Sequence, residues 1–408
     1  MDSERAAFLR SMAENPDDDV ARLVFADWLD DRGLPQGEFV RLDLRLTTLP
    51  AGHPEREPLL ARRATLLQAH TDEWIDELPY FPGIAYRDKN GLRFDRGVSC
   101  FAVANWGAIC ESGDALFTAL PIRCLCITSG GVDAAHIVEE LYQKPWAANL
   151  RAVEFEPGAH FDNAAVRALA TEPGAANLTS LRLRTWSGLD FHGLPDLVSS
   201  PHLGRLEELE LSGHDIGEEE AELVASSTHL PRLVSYTSRG VQMSAASVIH
   251  ERAVAAFADA PVVRLRTLRL PNHSCNVRAM EALARGPATA GLEVLDLSDN
   301  ASIGDAGVAA LLRPRTLTSL RELDLASIGL TDRGVRAVAE SPLLRGLRSL
   351  NLSGNRFTDE GATALALSDH ISGACRVIVG WPPPFRAVTD LGLSALRERF
   401  RNLEVAEL

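Results

Sequence analysis

LEVLDLSDN at residues 292–300 is followed by LRELDL at 320–325 and by LRSLNLSGN at 347–355. Leu295 and Leu297 lie two positions apart, so they face one side of a short strand while Asp296 faces the other. The pattern L-x-x-L-x-L matches again in LTSLRL (178–183), LEELEL (206–211) and LRTLRL (265–270). Weaker copies are IRCLCI (122–127), LRAVEF (150–155), LVSYTS (233–238) and CRVIVG (375–380). Successive first positions are separated by 28, 28, 28, 27, 32, 27, 28, 27 and 28 residues. Ten units in near-constant register are a structural period, not chance leucine richness.

A helix start follows each clear strand pattern, as in GDAGVAALL from 304, TDRGVRAVAES from 331, TDEGATALALS from 358 and TDLGLSALRERF from 389. Thr331 and Thr358 suit the N-cap, and Asp332 and Asp359 sit in the positive first turn. Val335, Val338 and Ala339 mark an apolar stripe at helical spacing. One strand and one helix cannot bury an apolar face alone, but stacked units share a continuous core.

Over residues 120–400 this pattern resembles the leucine-rich repeat family, in its longer, helix-containing, ribonuclease-inhibitor-like type. The resemblance implies an α/β solenoid, a horseshoe with parallel strands on the concave side and helices on the convex side. The position best suited to a turn-bonding Asn is Asn only at 300 and 355; elsewhere it holds Gly158, Trp186, His214, His273 or Ile328. The 32-residue unit carries extra residues within 235–252, where a loop is expected.

The first 80 residues read differently. Phe8, Leu9 and Met12 share a helical face that ends at Pro16. A second helix over DDDVARLVFADWLDDRG has Asp18 or Asp19 as cap, Val20, Leu23, Val24 and Trp28 as its apolar stripe, and Gly33 as its stop. A third helix from Pro35 presents Phe39, Leu42 and Leu46, and a fourth spans about 58–78 with Leu59, Leu66, Leu67, Trp74 and Ile75. The stretch 8–46 resembles the bacterial repeat-companion domain, on Pro16–Asp18, on R-L-x-x-A-D-W-L at 22–29 and on Glu38–Leu42. That likeness implies a small all-α module ahead of the repeats and brings no activity with it. The expected organisation is a helical module at 1–80, a linker and cap at 81–121, repeats at 122–374, and a last repeat with C-terminal cap at 375–408. Within 81–121 a strand in GLRFDRGVSCFAV and a helix in WGAICESGDALFTALP are expected.

The formal net charge of −15 argues against sequence-independent binding to a phosphate backbone. Acidity is concentrated early, with 17 Asp or Glu against nine Arg in residues 1–80. No stretch approaches the roughly 18 apolar residues of a membrane span, and the start lacks a secretion signal, so a cytoplasmic location is expected. Cys100, Cys110, Cys124, Cys126, Cys275 and Cys375 form no C-x-x-C pair, and reduced structural thiols are expected in place of a zinc site. Cys124 and Cys126 share a face if their segment is a strand.

Phosphate-loop, metalloprotease, nucleophile-elbow, dinucleotide and calcium-loop patterns do not occur. Asp27 and Asp31 fall one helical turn apart, a weak cation site at most; a solvated helix face is the better account. Neither metal nor cofactor is expected. The outward residue between the last two repeat leucines reads Cys126, Glu154, Arg182, Glu210, Thr237, Arg269, Asp296, Asp324, Asn351 and Val379. The next outward position adds Glu156, Arg184 and Arg239, while Trp186, His214, Tyr236 and His273 fall just beyond four consecutive strands. The charges segregate into an acidic patch at Glu154 and Glu156, a basic one at Arg182 and Arg184, and acids again toward Asp324. Such patches mixed with aromatic residues have the composition of interface hot spots. The resemblance and this face together imply a non-catalytic protein- or peptide-binding scaffold. Nucleic acid and membrane are not expected partners, and the oligomeric state is left open. The alternative is an enzyme or enzyme-accessory protein using His214, Tyr236 and His273 with Glu210. Histidines two units apart are separated by roughly 10 Å, too far for direct contact.

Overall fold

The computed structural model describes residues 3–50, 53–88, 91–128, 131–159, 161–184, 192–213, 216–240, 249, 251–260, 264–313, 316–381 and 387–406. Contacts divide the chain into two compact units, Met1–His160 and Phe161–Leu408.

The first unit opens with helices α1 (Ser3–Glu14), α2 (Asp19–Asp30), α3 (Gln36–Thr48) and α4 (Arg56–Asp76). Asp18 caps α2 by accepting from the Val20 amide at 2.9 Å. The buried face of α2 differs from the expected stripe. Arg22, Phe25, Ala26 and Leu29 are inside, whereas Val20, Leu23 and Val24 are 65%, 42% and 49% exposed. The helix carries two apolar faces, and the one with Phe25 and Leu29 removes more apolar area from water. The Phe25 ring packs against Phe8 at 5.5 Å and Trp28 at 5.9 Å between centroids. Trp28 is half-buried, with the Arg32 guanidinium 4.0 Å from its ring centre. The acidic side of α2 is tied to α3, because Arg41 pairs with both Asp27 and Asp30. Phe39, Leu42 and Leu46 of α3 meet Leu66 and Trp74 of α4 in one cluster.

After these helices, strands Phe101–Asn105, Cys124–Thr128 and Ala152–Phe155 pair in parallel, with Ile84–Ala85 antiparallel to the first. Asn105 caps helix α5 (Trp106–Ala119) through the Ala108 amide at 2.9 Å. The turn between α1 and α2 is clasped by arginines from this region. Arg96 donates to the Pro16 carbonyl at 2.7 Å, and Arg123 donates to Pro16 O at 3.1 Å and to Asp17 at 2.7 Å. The hydrogen bond from Arg123 is the main reason the Asp17 carboxyl lies below its usual range.

In the second unit the strands Ser180–Arg184, Glu208–Ser212, Ser235–Thr237, Thr267–Arg269, Val294–Asp296, Glu322–Asp324, Ser349–Asn351, Arg376–Val379 and Asn402–Val405 form one parallel run. Leu181, Leu209, Tyr236, Leu268, Leu295, Leu323, Leu350 and Val377 stand in one register line, and all are buried. The last repeat is shifted by one residue from the expected alignment. Ile378, not Val379, is level with Asn351, because Val377 and Val379 take the core positions and both are fully buried. Asn402–Val405 adds a strand that the leucine pattern did not reveal.

Two ladders tie neighbouring units together. Asn300 Nδ2 donates to Leu270 O and Leu297 O at 2.8 and 2.9 Å, and Asn355 Nδ2 donates to Leu325 O and Leu352 O at 2.8 and 3.0 Å. The T-D-x-G helix starts form the second. Asp332 accepts from the Thr358 amide (2.7 Å), the Thr358 hydroxyl (2.9 Å) and the Gly361 amide (2.8 Å) of the next unit. Asp305 holds Thr331 and Asp359 holds Thr389 in the same way. The motif needs its glycine because a Cβ at Gly361 would lie 2.7 Å from Asp332 Oδ1. Asp332→Ala is expected to cost about 1–3 kcal/mol by stranding these donors, measured by urea unfolding. The hydroxyl of Thr389 holds the Asp359 carboxyl below its usual range. A depressed pKa stabilises the fold above the unfolded value, and that contribution disappears as pH falls through the lower folded value.

Candidate binding face

The outward residues of the second unit form a row that begins in salt bridges and passes through the acids Asp296 and Asp324 to Asn351. Arg184 grips Glu210 with two bonds of 2.7 and 2.9 Å, and Ser212 donates to the same carboxylate at 3.1 Å. Arg182 reaches Glu208 at 3.4 Å and Glu210 at 3.8 Å. Burial works against the Glu210 charge, but the hydrogen bond and charge of Arg184, helped by Arg182 and Ser212, outweigh it and keep the carboxyl below its usual range. Expected as a basic patch, Arg182 and Arg184 are thus half of a local ion-pair network.

Arg239 pairs with Asp299 at 3.3 Å. Arg269 stands level with Thr237 and Asp296, and its guanidinium has no hydrogen bond or ion pair among the described residues. Asp296 accepts from the Ser298 amide at 2.9 Å. One strand on, Asp324 accepts from the Ala326 amide and from Asn351 Nδ2, both at 2.9 Å. Burial, followed by the charge of Asp296, pushes the Asp324 carboxyl above its usual range. A raised pKa means that its contribution to stability is complete below the unfolded value and is lost as pH rises through the folded value. At neutral pH ionised Asp324 is therefore a cost. Asp324→Asn is expected to stabilise by about 0.5–1 kcal/mol at neutral pH, as removal of a like-charge cross-strand pair should. The gain should vanish in melts run below the unfolded carboxylate pKa.

The acidic patch expected at Glu154 and Glu156 is only partly open. Glu154 is 1% exposed, and Arg93 lies against it, with Nη2 3.1 Å from Oε2. The Arg93 guanidinium also sits 4.1 Å from the Phe101 ring centre. Arg93 belongs to the stretch read as a linker, and nothing in its local pattern marks it. Only the strand pairing brings it over Glu154.

Among the described residues of the catalytic alternative, Tyr236 and His273 lie in the core and Glu210 lies on the outward face. Tyr236 is fully buried in a repeat-leucine position, stacked 5.0 Å from Phe257, and burial drives its phenol pKa up. His273 is also fully buried, with Nε2 2.9 Å from both the hydroxyl and the carbonyl oxygen of Ser238. It occupies the ladder position that Asn300 and Asn355 hold elsewhere. Its own amide donates to Asn300 Oδ1 at 2.9 Å. Glu210 lies on the opposite, outward side of the strands, since its neighbours Leu209 and Leu211 are the buried ones. Trp186 and His214 lie outside the described residues, as do 241–248 and 250 of the 235–252 insertion.

No curated protein matches the chain in sequence. A chain of the yeast Rad7 and Elc1 complex is similar over 67% of this chain and 79% of its own, at 15% identity and a TM-score of 0.40. An internalin (InlF) from Listeria monocytogenes str. 4b F2365 is similar over 74% of this chain and 76% of its own, at 13% identity and a TM-score of 0.37. The family model described as Leucine Rich repeat matches residues 292–312, 316–339 and 345–366, so the chain carries leucine-rich repeats in its C-terminal part.

Proposed function

We propose that the protein is a non-catalytic scaffold that binds another protein or an extended peptide on the concave, strand-lined face of its repeats. One observation carries the reading: Arg269, Asp296, Asp324 and Asn351 stand side by side on four adjacent strands, above a core and an Asn ladder that hold the backbone rigid. Side chains preorganised in this way lose little freedom when a partner docks. Leucine-rich repeats of the ribonuclease-inhibitor-like type are supported by helices of 8 to 10 residues in the last five units that bear them. The three companion-module elements have visible structural work, since Arg22 is buried in α2, the Pro16–Asp17 turn is clasped by Arg96 and Arg123, and Phe39 and Leu42 join the cluster with Trp74. All six cysteines are free thiols, which suits action in the cytoplasm. The described helices include none long and apolar enough to cross a membrane.

The test is affinity capture with the wild-type chain and with an Arg269→Glu/Asp296→Arg double variant. The variant is expected to keep its melting point and lose the wild-type partners. Identical partner sets would remove this face from the proposal.

A further inference from the structure

We propose that Cys126, Glu154 and Glu156 form a site for a thiophilic divalent cation of the zinc class. Parallel pairing puts Cys126 level with Glu154, and Glu156 follows two residues on, where the strand alternation returns its side chain to the same face. One ligand atom from each of the three lies within 4.8 Å of the others. Cys126 Sγ is 4.0 Å from Glu156 Oε1, and Cys124 Sγ is 3.7 Å from Glu154 Oε1. Tetrahedral zinc with one sulfur and one oxygen ligand holds those two atoms about 3.6 Å apart, given the usual Zn–S and Zn–O lengths. Closing the set around an ion therefore needs only small side-chain adjustments.

Burial strengthens the argument. Cys126 is fully buried and Glu154 is 1% exposed, and a buried carboxylate requires a cation beside it. Arg93 meets that need in the present arrangement, donating to Glu154 and, at 3.3 Å, to Cys124 Sγ. A metal ion and Arg93 are thus competitors for Glu154. The thiolate favours zinc-like ions over magnesium or calcium. Three protein ligands leave a fourth position for Cys124 or water. On binding, the Cys126 thiol gives its proton to solvent as the sulfur–metal bond forms, so affinity must rise with pH.

The experiment is titration of the full chain, stripped with a chelator, with Co²⁺ and Zn²⁺. The near-ultraviolet sulfur-to-cobalt charge-transfer band is expected to saturate at one ion per chain, and Zn²⁺ is expected to raise the melting point. Cys126→Ser should abolish the band, whereas Cys110→Ser, at an exposed thiol, should leave it. Should Cys126→Ser fail to fold, Glu156→Gln at the half-exposed ligand serves instead and is expected to weaken Zn²⁺ about tenfold or more, the order of one lost charged ligand contact. Arg93→Gln should bind Zn²⁺ more tightly than wild type. Absence of the band in the wild type, its survival in Cys126→Ser, or unchanged affinity in Glu156→Gln would overturn the proposal.

Discussion

Asn300→Ala is expected to lower stability by about 3–5 kcal/mol, the sum of several buried polar groups left without partners. The side chain is fully buried and makes five short contacts. Its Nδ2 donates to Leu270 O, Leu297 O and Ser298 O at 2.8, 2.9 and 3.1 Å. Its Oδ1 accepts the amides of His273 and Cys275, each at 2.9 Å. Alanine cannot replace any of these, and a dry leucine core offers no water to do so. Because the contacts span two units, the variant should also loosen the coupling between them, so that the urea transition broadens. A loss below about 1 kcal/mol would mean that the freed backbone groups find other partners.

His273→Ala should be the second largest loss, about 2–4 kcal/mol from the combined cavity and unpaired polar atoms. Ser238 stands where the neighbouring units have Leu211 and Leu270, and it is fully buried. The small hydroxyl side chain makes room for the imidazole, which bonds back to it. Two departures from the repeat thus compensate each other across neighbouring units. Ser238→Leu alone should clash with the ring, and His273→Asn alone should leave Ser238 short of a partner. Made together, the two changes restore the regular pattern, and a double-mutant cycle should show coupling of about 0.5–3 kcal/mol. Additive effects would separate the two residues. A turnover that His273→Ala abolished without lowering the melting point would revive the catalytic alternative.

The strand–helix unit, its spacing, the turn-bonding function of Asn300 and Asn355 and the capping by Thr331 and Thr358 were legible in the sequence, whereas the bonds from Asp332 and Asp359 to the next unit were not. Each legible feature is local and repeated at a fixed period, so one copy reinforces the reading of the next. The four N-terminal helices and the cluster around Phe39, Leu42, Leu46 and Trp74 were legible for a similar reason, since capping and apolar periodicity act within one or two turns.

Only the tertiary structure decided which groups met. On α2 two apolar stripes competed, and packing against Phe8 of α1 selected the one containing Phe25. In the last repeat Val377 and Val379 were as apolar as the residues the pattern preferred, so neighbouring strands set the register. Arg93 covers Glu154 across 61 residues of chain, and His273 meets Ser238 across 35. By itself, the sequence determined the repeating backbone, because period and capping are short-range. The charged and polar pairs on that backbone were decided by folding, because burial and partner identity depend on residues that no local pattern connects.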